Sequence, residues 1–333
     1  MTRLGALALL VLLVAGCGGT PALPTDAGPT SDHRVGEPGS APTPAAAPAG
    51  TVVPVGPEPE GVAVDPKSGL VAVDLRSPNA IAVLDSDGRV QRTIPVPAFG
   101  RHLRFGGPGL LLAPLEASRT LAEVDVASGT ILAEVPLGKQ PHDAVAAGGR
   151  FFVGNEFSDT LAVVKGTTVQ RELPAPMQPG GVAATPNAVV VVGVRSHLLE
   201  AFDTRTLASL GTVAAGAGPT HLDASGPLVY ETDTLGDAVR VFSVRPHPRQ
   251  VAAVPAQGRP LGIALDAVRH RLWVTLSASN MLVEYDVTQT KPRLLATYPT
   301  VQQANTVAVD AHSGRVWVTG KAAGVLELID PTV

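Results

Sequence analysis

A six-residue motif, most often with proline at its fourth position, returns seven times along this chain of 333 residues. The copies occupy Thr51–Gly56, Arg92–Pro97, Ala133–Gly138, Arg171–Pro176, Gly211–Gly216, Ala252–Gln257 and Ala296–Val301, at spacings of 41, 41, 38, 40, 41 and 44 residues. Strand-like text repeating every 40–45 residues is the signature of a β-propeller blade, a unit that cannot bury its apolar face alone and stacks on its neighbours. Within each unit, short alternating runs such as Leu261–Asp266, Arg271–Thr275, Met281–Asp286 and Leu294–Tyr298 read as four strands, separated by turns rich in Asp, Gly, Ser and Asn.

The two ends of the repeat fit each other. The seventh unit runs through Val307–Asp310, Arg315–Thr319 and Val325–Asp330, and the chain stops before a fourth strand. Thr51–Val53 is a fourth-strand motif with no blade ahead of it. The expected fold is therefore all-β: a seven-bladed β-propeller of four-stranded antiparallel blades, its ring closed by the N-terminal strand pairing into the last blade. Such closure removes an open sheet edge. Six blades plus a flanking hairpin is the alternative, and it would leave Thr51–Pro54 unpaired.

Composition adds limits. Hydrophobic residues make up 45% of the chain and charged ones 16%, enough apolar material for one large core. The net charge of −4, without a basic run, gives no electrostatic footprint for nucleic acid. The single cysteine, Cys17, rules out a disulfide within the chain.

That cysteine closes an N-terminal segment with a short basic start (Met1–Arg3) and an apolar run (Leu4–Leu13) of secretory length, too short to span a bilayer. Val14-Ala-Gly-Cys17 resembles the bacterial lipobox, which implies a signal peptide over 1–16 and lipidation of Cys17; an ordinary secretory signal is the alternative. Two acyl chains would anchor the protein stably. The expected location is the extracytoplasmic face of the cell membrane, with the membrane touched through the lipid alone. Residues 17–50, the lipidated cysteine and a Pro/Ala/Gly-rich stretch, have too little apolar surface to fold and are expected to be a disordered tether reaching roughly 30 Å. The propeller is assigned to 51–333.

The unit text Arg271–Asp286 resembles the YVTN-type repeat of the YncE-like group of bacterial propellers, and Pro59–Pro66 with Val71–Asp74 is similar to NHL repeats. The resemblance implies a binding platform and brings no shared catalytic motif.

Aligning the seven units places Glu60, Arg101, His102, His142, Asp143, Thr220, His221 and Asn305 at the start of the innermost strands, with Asp74, Asn155, Glu156, Arg195, His197, Asp233 and Asn280 in loops on the same face. The candidate ligand-binding set at this polar mouth is Glu60, Arg101, His102, His142, Asp143, Asn155, Arg195, His221, Asp233 and Asn305. Three histidines from three blades invite a divalent metal of the Zn, Cu or Ni kind; they could equally bond to backbone or water. Stretches around Glu60, His142 and Asp233 are similar to the metal site of gluconolactonase-like propellers. That resemblance implies a lactone hydrolase in which Glu60 and Asp233 match the family's ligands, His142 and Thr220 stand where it has asparagines, and Asp233 is the base; the candidate metal residues are Glu60, His142, His221 and Asp233. The leading expectation is an interaction platform. Its partner would be an envelope protein, a cell-wall fragment or a small anion, and the propeller is expected to be a monomer. The metal-dependent hydrolase is the alternative.

Overall fold

The computed structural model describes residues 34–331, and these form seven four-stranded antiparallel sheets and no helix. The expected signal peptide over 1–16, the expected lipidation site Cys17, residues 18–33 and residues 332–333 lie outside the described residues. No helix among the described residues is long and apolar enough to cross a membrane.

Each blade is a meander from axis to rim. The first comprises Val62–Val64, Val71–Leu75, Ala80–Leu84 and Val90–Pro95. The second runs from Arg104–Gly107 to Thr130–Pro136, the third from Pro141–Ala147 to Thr168–Pro174, and the fourth from Pro179–Thr185 to Ser209–Ala214. The fifth spans Pro219–Ser225 to Arg249–Pro255 and the sixth Pro260–Asp266 to Arg293–Pro299. Strands two and three of each blade are almost wholly buried, while the outermost strand alternates with exposed residues. That is the pattern of sheets packed face to face around a ring, with the rim in water.

The seventh blade has three strands of its own, Ala304–Val309, Val316–Gly320 and Val325–Ile329; Thr51–Pro54 supplies the fourth. It pairs antiparallel with Val325–Ile329, from Thr51 opposite Leu328 to Pro54 opposite Val325. Ring closure is thus as the repeat count requires. Trp273 and Trp317, at equivalent second-strand positions, are buried between blades: Trp317 shares an apolar cluster with Val62, Val71 and Val73 of the first blade, and Trp273 one with Ala304 and Val316 of the last.

The turn between strands two and three repeats with little variation. Its last residue is left-handed in six blades, at Arg119, Asp159, His197, Asp237, Asn280 and Gly324, while the first blade has Ser77 left-handed at the second turn position instead, all with φ between 48° and 67°. Asn, Asp, His and Gly tolerate that region best. These turns lie at one mouth of the ring and support the site described next.

One expectation needs correction. Residues 34–50 are not a free tether but a strap laid along the propeller. The mouth loops hold its main chain. His197 Nε2 donates to the Arg34 carbonyl (2.8 Å) and Arg259 Nη1 to that of Glu37 (3.4 Å). Gly39 N–H donates to Ser277 Oγ (2.9 Å), and Gln303 Nε2 to the Gly39 carbonyl (2.6 Å). Asn280 Nδ2 donates to the Pro42 carbonyl (2.7 Å), and further on Gly50 N–H reaches Glu327 Oε1 (2.8 Å). The small residues that made the segment look unfoldable are what let it lie so close. A Cβ on Gly36 would stand 2.6 Å from the Gly218 carbonyl oxygen, and one on Gly39 2.5 Å from the Ala278 Cβ.

Candidate functional site

The three histidines converge near the axis because the innermost strands are irregular where they start. In the third blade the pairing jumps from Pro141 opposite Asn155 to Asp143 opposite Gly154, leaving His142 in a bulge. In the fifth it jumps from Pro219 opposite Asp233 to Leu222 opposite Glu231, leaving Thr220 and His221 unpaired. In the second blade His102 falls between an isolated bridge at Gly100 and the strand that begins at Arg104. A bulge re-aims a side chain that a regular strand would send elsewhere. The ring centroids lie 4.9 Å apart for His102 and His142, 4.3 Å for His102 and His221, and 6.4 Å for His142 and His221.

Each ring sits in defined surroundings. His142 Nδ1 lies 3.1 Å from Glu156 Oε2. Glu156 Oε1 accepts from Gln178 Nε2 (2.7 Å), and Gln178 Oε1 from Arg195 Nε (2.9 Å). A chain of four side chains therefore runs from the axis to the surface. His221 Nδ1 donates to the Leu261 carbonyl (2.9 Å), and His102 Nε2 is buried without a protein partner. Burial pulls the His221 imidazole down to about 3, against the pull of its carbonyl bond. Burial, with His221 and His142 alongside, lowers His102 well below the usual imidazole range. Burial would raise the Glu156 carboxyl, but the bonds from His142 and Gln178 prevail and hold it at about 2.

The trio stands between two spaces. Towards the mouth is a small cavity of about 40 Å³, bounded by Glu60, Arg101, Glu156 and Asn305 and covered by Val35–Pro38 of the strap. On the other side is a channel of about 290 Å³ whose walls mix apolar side chains, among them Val62, Phe105, Ile263 and Val307, with the polar groups of Arg104, Asp143 and Asp223. Arg104 is the cation of this channel: Nη2 donates to the Leu222 carbonyl (2.8 Å), with Asp143 and Asp223 at 3.6 and 3.8 Å.

The remaining predicted residues divide. Glu60 lies at the mouth cavity, paired with Lys321 Nζ (2.9 Å), and Arg101 there pairs with Glu116 (3.0 Å). Asn305 Oδ1 accepts from Gln303 Nε2 (3.2 Å). Arg195 reaches the trio only through Gln178 and Glu156. Asp143 is largely structural, accepting N–H groups of Ala144 (2.8 Å) and Val182 (3.0 Å), which staples the third blade to the fourth.

Asn155 and Asp233 are not in the site. Asn155 Nδ2 turns to Thr160 Oγ1 (3.1 Å) and Glu172 Oε2 (3.3 Å). Asp233 is fully buried under the turn of its own blade. It accepts from the N–H groups of Gly218 (2.8 Å) and Gly236 (3.0 Å) and from Arg240 Nε (2.9 Å). Its lone pairs are committed, so it has none for a metal or a substrate proton. Neither of the metal-capable groups among the described residues, His102–His142–His221 and Glu116–His142–Glu156, includes Glu60 or Asp233. The gluconolactonase-like ligand set is therefore not assembled.

Glu116, Gln178, Arg104 and Asp223 belong to the site and were not singled out in the sequence, whereas Glu156 was placed at the mouth but left out of the candidate ligand-binding set. Asp143 and Asp223 follow the bulged histidines by one and two residues, a local echo that sequence inspection could have used.

No protein-family model matches the chain, and no curated protein matches it. Solved structures do, at low identity. A chain of Kuenenia stuttgartiensis hydrazine synthase is 14% identical, aligned over 83% of this chain and 96% of that one, with a TM-score of 0.72. A chain of the mitotic checkpoint complex is 13% identical over 95% and 98%, with a TM-score of 0.75. Streptogramin B lyase is 16% identical over 85% and 96%, with a TM-score of 0.70. The shared property is the propeller fold, which hosts lyases and components of assemblies alike.

Proposed function

We propose that the protein is a lipid-anchored, extracytoplasmic propeller of the YncE-like kind that serves as an interaction platform and takes an extended polypeptide segment at its mouth. The observation that carries this reading is the strap. Its main chain is held by side chains of His197, Arg259, Ser277, Asn280 and Gln303, contacts that depend little on the bound sequence. A surface that holds one extended segment through its backbone is suited to hold another. The partner class is an envelope protein with a Gly/Pro/Ala-rich segment, and the propeller acts as a monomer.

The strap is present in cis, at an effective concentration set by its short connection, so a partner competes with it. The test is a chain that starts at residue 49, offered a labelled synthetic peptide of residues 34–48. Saturable binding is expected by fluorescence anisotropy. It should be weakened by Gln303→Ala and absent with the full chain, whose own strap competes. A peptide that ignores the strapless propeller would end this reading. The anchor has its own test: a radiolabelled fatty acid should enter the wild-type protein and not Cys17→Ser.

A further inference from the structure

The platform reading leaves the three histidines unused. We propose that His102, His142 and His221 form a binding site for one divalent transition ion of the Zn²⁺ class, held at the wall between the strap-covered mouth cavity and the open channel.

Four observations carry it. Each histidine offers a ring nitrogen, and these atoms all lie within 4.8 Å of one another. A tetrahedral ion with Zn–N bonds of about 2.0–2.1 Å sets its nitrogens about 3.3 Å apart, so the rings need close by no more than roughly 1.5 Å. The rings are also oriented. Nδ1 of His142 faces a carboxylate and Nδ1 of His221 a backbone carbonyl, which leaves Nε2 as the nitrogen without a protein hydrogen bond on both. This is the outer-shell arrangement that fixes tautomer and direction in metal-bound histidines. On His102, Nε2 is buried with no partner, a costly state for a polar atom unless something binds it. Finally, the Gln178 and Arg195 bonds hold Glu156 in place, so the second shell is itself supported.

The donor set selects the ion. Three imidazoles suit Zn²⁺, Co²⁺, Ni²⁺ and Cu²⁺; Ca²⁺ and Mg²⁺ require oxygen. His102 and His221 line both spaces, so the fourth position falls to water or a small ligand arriving along the channel, since Val35–Pro38 cover the other side.

The experiment uses the full chain, extracted in detergent, stripped with chelator and titrated with Co²⁺ as a spectroscopic probe, with Zn²⁺ in competition. One equivalent of Co²⁺ giving the visible bands of a four-coordinate site is expected, displaced by Zn²⁺ and not by Ca²⁺ or Mg²⁺. His102→Gln, His142→Gln and His221→Gln should each weaken binding at least tenfold. Glu156→Gln should weaken it about 10- to 100-fold while keeping one equivalent. The exposed His247, His270 and His312 serve as controls, and their alanine variants should bind as wild type. Near-ultraviolet dichroism of the buried Trp273 and Trp317 reports whether each variant is folded. Absence of stoichiometric binding, or binding that survives loss of the trio and disappears with the exposed histidines, would overturn the proposal.

Discussion

At the scale of single residues, two buried carboxylates on one strand show how surroundings decide a role. Asp233 is met by N–H donors and by Arg240, and it clamps the turn. Replacing it with alanine leaves those donors and Arg240 without a partner, and a loss of about 3–5 kcal/mol in urea denaturation is expected. A hydrolase base would instead lose activity with stability kept. Glu231, two residues earlier, is fully buried. Burial first, and then the Asp233 charge, push its carboxyl well above the usual range, against Arg240. A raised folded pKa means this group contributes stability that is complete below the unfolded value near 4.5 and is lost as pH rises through the folded value. Glu231→Gln should therefore flatten the decline of melting temperature with rising pH and raise it at pH 8. An unchanged slope would show that the carboxyl is already ionised in the fold.

Single elements explain why the site was only partly legible. Regular two-residue alternation would assign a histidine to the channel or to the blade interface by parity alone. The irregular starts of the innermost strands break that parity, which is why His102, His142 and His221 meet, while Asn155 and Asp233, at the ends of second strands, are held away by hydrogen bonds within their own blades. The strap makes the same point about composition. Low apolar content predicts that a segment cannot fold by itself, and says nothing of whether a folded neighbour can hold it. Its glycines are required by proximity, so Gly39→Leu should lift the segment from Ala278. Faster proteolysis and faster amide exchange between residues 34 and 48 are expected, with the melting of the blades little changed. Protection equal to wild type would mean that the loops accommodate the side chain.

For the whole molecule, the consequential contact is the pairing of Thr51–Pro54 with Val325–Ile329, which joins positions more than 270 residues apart. Without it the last blade presents an open edge. A chain beginning at residue 56 should melt well below one beginning at residue 49, and it should associate with concentration in light scattering, whereas the longer chain stays monomeric. Equal melting temperatures would show that the inter-blade contacts, including those of Trp273 and Trp317, hold the ring without the closing strand.

The sequence by itself determined the blade count, the strand order within each blade, the closure of the ring and the face on which polar groups gather. These follow from period and alternation, which are local properties repeated often enough to outweigh any single irregularity. The tertiary structure decided which polar groups meet. That outcome depends on irregular strand starts at three places, on hydrogen bonds that commit Asp233 elsewhere, and on a strap whose only information is that its residues are small enough to approach. All three are matters of a few ångströms between residues distant in the chain, and a repeat pattern carries no record of such distances.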